Sequence, residues 1–300
     1  MLALTILGSN SAIPAFGRNP TAQLLQTEEC SFLIDCGEGT QTQLARYKLR
    51  NSKLSYIFIS HLHGDHYFGL IGLLTSMSLL NRTQELHVYG PEPLGKIIDI
   101  QLEAGEVSLN YPLHFHPLKQ EGIICQTGKM EIQCFKMQHR IECWGFLFRE
   151  IKNPRSVDTV KAKSYEIPLA FYEQLKKGEN YIHKDGRIIQ NAEVTTAAPK
   201  ARSYAYCADT LYDENIANKI KGADLIYHES TYLKEEQEKA FQRYHSTTIQ
   251  AANIAKIAET KQLIIGHFSS KYEKLEAFLA EAKEVFENTA LAVEGSCYKI

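Results

Sequence analysis

The sequence has no surplus of charge of one sign. Its 300 residues carry 33 Lys and Arg against 35 Asp and Glu, a formal net charge of −2. A chain that coats nucleic acid or an anionic membrane with its whole surface is strongly basic, so any such contact here must come from a local patch. No Lys or Arg precedes Arg18, so the apolar run Leu2–Leu7 lacks the charged flank of a secretory leader and reads as a first β-strand. No apolar stretch is long enough to span a bilayer; the longest, Phe68–Leu80, is broken by Gly, Thr and Ser. The seven cysteines (Cys30, Cys36, Cys125, Cys134, Cys143, Cys207, Cys297) include no C-x-x-C pair and are odd in number. That excludes a zinc ribbon and argues against a disulfide framework; the expectation is a soluble cytoplasmic protein with reduced thiols and no membrane partner.

What is present is 44% hydrophobic and 23% charged, enough apolar material for a sizeable core. Short apolar runs bounded by turn residues predict strands at Leu2–Leu7, Ala22–Leu25, Ser31–Asp35, Leu54–Ser60, Leu86–Tyr89, Ile123–Gln126, Glu131–Gln138 and Gly145–Phe148. A buried helix is expected at Tyr67–Leu80. Then strands (Ser203–Cys207, Asp224–Tyr227, Gln262–Ile265) alternate with helices (near Asn215–Ile220, Thr247–Ala258, Glu273–Phe286). The pattern predicts an α/β layered architecture, sheets packed on each other with helices outside. Residues 151–202 have no clean period. Between Arg149 and Arg187 lie nine basic and six acidic residues, which reads either as a solvated loop or as an arm reaching an anionic partner.

The strongest local signal is His61-Leu62-His63-Gly64-Asp65-His66. Two residues apart at the end of a strand, His61 and His63 project to the same side, and Gly64 permits the turn that brings Asp65 and His66 round. Three imidazoles and a carboxylate so close together are costly unless a cation compensates them, and divalent zinc takes these donors. His139, Asp209 and His267 each follow a predicted strand, where open α/β sheets place their sites. Singly each is an ordinary strand-end residue; jointly with the first motif they make five His and two Asp. His114-Phe115-His116 also has H-x-H spacing, but prolines flank it and no Asp-His follows, so strand-edge alternation accounts for it. His87 and His183 stand alone and read as structural or exposed residues, and His228 as a supporting residue.

This set resembles the metallo-β-lactamase superfamily, with its motifs at Asp35, His61–His66, His139, Asp209 and His267. More narrowly the chain resembles the ribonuclease Z family of transfer-RNA 3′-processing endonucleases. The Asp35-Cys36-Gly37-Glu38 segment, the Gly8–Asn19 loop, His228-Glu229-Ser230-Thr231 and His245-Ser246-Thr247 carry the narrower likeness. Two places depart from the family pattern: Phe16 stands where the loop usually has Lys, and Ile167-Pro168-Leu169-Ala170-Phe171 lacks a Gly-Pro-rich tip.

The resemblance implies a four-layer αββα sandwich, one domain over residues 1–300 with an inserted flexible arm at about 150–195. It implies two Zn2+ per subunit: His61, His63 and His139 on one, Asp65, His66 and His267 on the other, Asp209 bridging, and Asp35 bonded to a ligating imidazole. It also implies removal of the 3′ trailer from precursor transfer RNA by a zinc-activated water, leaving a 3′-hydroxyl and a 5′-phosphate. Asp65 is then the proton acceptor, and His245, oriented by Glu229, the donor to the leaving oxygen. The partners implied are precursor transfer RNA, gripped by the arm, and a second subunit in a homodimer. Arg46, Lys48, Arg50, Lys53, Lys200 and Arg202 are candidate phosphate contacts. Two other readings remain open at this point, a hydrolase of small diesters, thioesters or lactams with the same metal chemistry, and a catalytically idle metal-bound RNA-binding protein.

Overall fold

The computed structural model describes residues 2–300. Contacts divide the chain into two compact units, one of Met1–Gln126, Ile132–Phe148 and Arg202–Ile300, the other of Thr127–Glu131 and Arg149–Ala201. Two seven-stranded sheets build the larger unit. The first takes β1 (Ala3–Gly8), β2 (Ala22–Gln26), β3 (Ser31–Cys36), β4 (Leu54–Phe58), β5 (Leu86–Pro91) and β6 (Leu113–Leu118). The second runs through β7 (Gly122–Gln126), β8 (Met130–Met137), β9 (Cys143–Glu150), β10 (Ser203–Cys207), β11 (Leu225–Glu229), β12 (Gln262–Gly266) and β13 (Thr289–Leu291). β14 (Cys297–Lys299) returns to the first sheet and pairs antiparallel with β1, Ala3 opposite Lys299. The spatial orders are β14-β1-β2-β3-β4-β5-β6 and β13-β12-β11-β10-β9-β8-β7.

Aromatic side chains fill the space between the sheets. Phe32 and Phe58 of the first meet Phe146 and Phe148 of the second at ring-centroid distances of 5.4 to 5.6 Å. On its other face the first sheet buries Leu33, Ile57, Leu86 and Val88 beneath helices Leu70–Leu79 and Pro93–Ala104, through Leu73, Leu74, Leu94 and Ile98. Helix Thr248–Ile257 packs on β11 and β12, and on helix Glu276–Val285. The result is the helix–sheet–sheet–helix layering expected, because each sheet is apolar on both faces and must be covered on both. Strands β3 to β6 are mutually parallel, as are β10 to β13. Their carboxyl ends therefore collect side chains from chain segments far apart in sequence.

The smaller unit corrects the expectation of an irregular stretch. Helices Thr159–Ser164, Tyr172–Lys177 and Asn191–Val194 and two short antiparallel ladders, Ser156–Val157 with Thr195–Thr196 and Tyr181–Ile182 with Ile188–Ile189, give it regular structure. It has its own core of Ala162, Ile167, Leu175, Ile189 and Val194. The apolar residues are too few and too widely spaced to print a period on the sequence, yet Tyr165, Phe171, Tyr172 and Tyr181 close round them. Among the described residues no helix is long and apolar enough to cross a membrane.

Candidate metal centre

Each predicted ligand lies at or just past the end of a strand or in the turn that follows. His61 and His63 follow β4; the short helix Gly64–Tyr67 then presents Asp65 and His66. That helix needs two glycines around it. A Cβ at Gly37 would come within 2.4 Å of the Asp65 carbonyl oxygen, and one at Gly69 within 2.2 Å of the Gly37 carbonyl oxygen. His139 follows β8, Asp209 follows β10, and His267, at φ 61°, follows β12.

All seven converge. His61, His63, His139 and Asp209 offer ligand atoms within 4.8 Å of one another, and so do Asp65, His66 and His267. In the first group His63 Nδ1 lies 3.0 Å from His61 Nε2 and 3.1 Å from His139 Nε2. Both ring pairs cross at 83°, so the nitrogens face a shared point rather than lying along one N–H···N line. Asp209 stands between the groups. Its Oδ2 is 3.6 Å from His61 Nε2, and its Oδ1 is 3.4 Å from His66 Nε2 and 3.3 Å from His267 Nε2. Asp209 Oδ1 is buried with no hydrogen-bond partner among the described residues. A buried carboxylate oxygen without a donor costs free energy, so this donor set fits divalent metal.

The outward nitrogens of the imidazoles are held in place. His66 Nδ1 lies 2.7 Å from Asp35 Oδ2, and Asp35 also accepts from the Ser60 amide (2.7 Å), the Ser60 hydroxyl (2.9 Å) and the Tyr206 hydroxyl (2.6 Å). His139 Nδ1 donates to the Tyr244 carbonyl at 2.9 Å, and His267 Nδ1 pairs with the Thr231 hydroxyl at 2.9 Å. Such contacts orient imidazole donors and leave Nε2 free to ligate. Ser60, Thr231, Tyr206 and the Tyr244 carbonyl were not singled out from the sequence. Ser60, immediately before His61, and Thr231, inside the His228–Thr231 motif, are the two that proximity to a ligand or motif would have found.

Electrostatics follow from burial and crowding. Burial, with neighbouring imidazoles, pushes His61 well below the ordinary histidine range and His63 to about 4, so both are neutral donors. Burial works against the charged form of His66, yet Asp209, Asp65 and Asp35 hold it well above the usual range. Burial also opposes the ionised carboxylates of Asp65 and Asp209, but the imidazoles around them keep both well below theirs. Asp65 Oδ2 accepts the backbone N–H of Ala12 at 2.7 Å, which draws the Gly8–Asn19 loop over the centre.

Beside the ligands sits a third pair. His245 Nδ1 is 3.0 Å from Glu229 Oε1 and 3.2 Å from the Thr231 hydroxyl. Glu229 is fully buried; its Oε2 accepts the Thr231 N–H and hydroxyl, its Oε1 the Ser246 N–H. Burial disfavours charge on His245, but Glu229 raises it above the ordinary value. His245 is also within metal-binding reach of Asp209 and His267, though its Nδ1 is occupied by Glu229. Thr247, two residues on, caps helix Thr248–Ile257 through a reciprocal box with Gln250.

The other histidines stay outside the centre, and His114 and His116 lie on the edge strand β6. His87 Nδ1 is 3.0 Å from His116 Nε2, while Glu85 lies 3.2 Å from His114 Nε2 and 3.8 Å from His87 Nε2. His183 pairs with Asp185 at 3.0 Å. None of these belongs to the convergent groups. All seven cysteines are free.

With this geometry the comparisons fall into place. The chain is 47% identical to ribonuclease Z of Cytophaga hutchinsonii over 301 residues, 99% of this chain and 96% of that one. It is 41% identical to ribonuclease Z of Bacteroides thetaiotaomicron over 299 residues, 99% and 95% of the two chains. The chain belongs to the ribonuclease Z family. Its fold matches the crystal structure of human tRNase Z, short form, with a TM-score of 0.74 at 26% identity over 99% of both chains. The metallo-β-lactamase fold protein YhfI from Bacillus subtilis superposes with a TM-score of 0.70 at 19% identity over 100% of both, a likeness of fold. The family model for Anti-Pycsar protein Apyc1 matches residues 2–187, which take in His61–His66 and His139 but end before Asp209 and His267. As a ribonuclease Z, the protein is a hydrolase of the endoribonuclease class.

Proposed function

We propose that this ribonuclease Z removes the 3′ trailer from precursor transfer RNA. The observation that carries the reading is the convergence of the two donor groups on Asp209, with the His245–Glu229 pair beside them, in a chain of this family. His61, His63 and His139 would hold one Zn2+ and Asp65, His66 and His267 the other, with Asp209 placed between the two groups. Bound there, such ions supply Lewis acidity to phosphate oxygens and acidify water.

The chain's own residues do the rest. Ionised Asp65, fixed by the Ala12 N–H and 3.3 Å from His267 Nε2, orients the attacking water and accepts its proton. Attack runs in line on phosphorus, opposite the leaving 3′-oxygen. His245, held through Nδ1 by Glu229, presents Nε2 to that oxygen and gives it a proton. Glu229 keeps the imidazole oriented and stabilises its protonated form, as its own carboxylate is held below the usual range, against burial, by His245. Asp35 fixes His66.

The smaller unit, with its basic Lys176 and Lys177, serves as the arm that grips the transfer-RNA body outside the centre. A homodimer working in the cytoplasm completes the reading, with the free cysteines in favour of a reducing compartment. The test is cleavage of a trailer-bearing precursor by the zinc-loaded protein. A mature 3′-hydroxyl end and a 5′-phosphorylated trailer are expected. Cleavage of small diesters without cleavage of the precursor would overturn the assignment.

A further inference from the structure

A cavity of about 330 Å3 opens over the centre, lined by His63, Asp65, Asp209 and His245 and by two side chains without a role so far, Phe68 and Arg140. Phe68 immediately follows helix Gly64–Tyr67 and leaves 64% of its surface exposed at the mouth of the cavity. Tyr67 meets the ring edge-on at 5.0 Å, and the ring lies over Gly64, where a Cβ would come within 2.2 Å of it. Arg140 follows His139 directly, is exposed, and is the one Lys or Arg among the lining residues, which also include Glu38. Its guanidinium has no hydrogen bond or ion pair to any described residue.

An exposed aromatic face and an unpaired guanidinium are the chemical complements of a nucleobase and a phosphate. We infer that Phe68 and Arg140 form a clamp for one unpaired nucleotide flanking the scissile phosphate, the base stacking on Phe68 and a backbone phosphate pairing with Arg140. The inference rests on the RNA-cleaving reading and names two residues that set which part of the strand enters. The cavity is at the small end of ligand pockets, a size suited to a single nucleotide. Stacking is tolerant of base identity because every base has a π-face, which suits a site that must accept different nucleotides at the cut. Phe68 also borders a small apolar cleft with Ile71, Leu94 and Ile97, so a second subunit covering that ring is the competing explanation.

The test uses the zinc-loaded full chain and precursor transfer RNAs carrying an abasic nucleotide on either side of the cut. On the ordinary precursor, Phe68→Ala should lower kcat/KM about five- to a hundred-fold, with Phe68→Trp retaining activity. The loss should shrink towards one on one of the abasic substrates. Arg140→Gln should flatten the plot of log kcat/KM against log salt by about 0.7, as expected for one lost contact to a single strand, and Arg140→Lys should restore most of it. Zinc content and sedimentation are measured for every variant. A Phe68→Ala loss that persists on both abasic substrates, or that accompanies a change in sedimentation, overturns the clamp while leaving the RNA reading intact. Failure of the unmodified protein to cut the ordinary precursor overturns both.

Discussion

Glu229 Oε1 lies 3.0 Å from Nδ1 of His245 and 2.9 Å from the backbone N–H of Ser246, so one buried carboxylate fixes both the imidazole and the loop that carries it. The arrangement separates proton transfer from metal binding. His245→Ala should slow turnover by about 10²- to 10⁴-fold on precursor RNA and leave the zinc content unchanged. Loss of zinc from that variant would put His245 among the ligands, as its proximity to Asp209 and His267 permits.

Asp35 accepts from Ser60, His66 and Tyr206 at once. Asp35→Ala leaves the Tyr206 hydroxyl buried without its acceptor and His66 free to turn. Zinc affinity, measured by competition with a chromogenic chelator, should drop about 10- to 100-fold. Unfolding by urea should show a loss of about 1–3 kcal/mol. Affinity equal to the parent's would show that Asp35 does not position His66.

Removing the metal should lower thermal stability, because cations that bind only the folded chain stabilise it by mass action. At free zinc 100 times the dissociation constant the gain is about 2.7 kcal/mol. A melting curve after chelation, and again after zinc is restored, reads this directly. In His61→Ala the zinc-dependent shift should be diminished; an undiminished shift would place the stabilising ion elsewhere.

The smaller unit should matter for large substrates alone. Replacing residues 155–190 by a short Gly-Ser linker should depress kcat/KM on precursor transfer RNA by at least an order of magnitude and barely alter hydrolysis of bis-p-nitrophenyl phosphate. Leu175→Ala, which removes a fully buried side chain from that unit's core, should destabilise the unit by about 2–5 kcal/mol and reproduce the effect in weaker form. Equal losses on both substrates would point to damage at the centre.

Much of this was legible in the sequence, for physical reasons. Strands such as Ser203–Cys207 and Gln262–Gly266 are buried on both faces and therefore read as apolar runs bounded by turns. The His61–His66 motif is local, and the distant ligands were legible because each follows a strand. What stayed hidden depends on partners far away in the chain. Helix Pro93–Ala104 buries only Leu94 and Ile98, too thin a stripe to stand out. The expected helix Tyr67–Leu80 is present but begins later, at Leu70–Leu79, after the Gly69 N–H donates to the Cys36 carbonyl. The grouping of His87, His114 and His116 arises from the register of β5 with β6, in which His87 stands opposite His114, and no spacing along the chain announces it. Phe68 and Arg140 acquire meaning only from the cavity they share.

The donors are spread from His61 to His267, with Asp209 between the groups it joins. During synthesis His61, His63 and His139 exist well before Asp209, and Asp65 and His66 wait longer for His267. A fragment ending short of β12 holds all four donors of the first group but lacks His267 of the second. Completion of the second donor group therefore waits on one of the last strands of the second sheet to be synthesised.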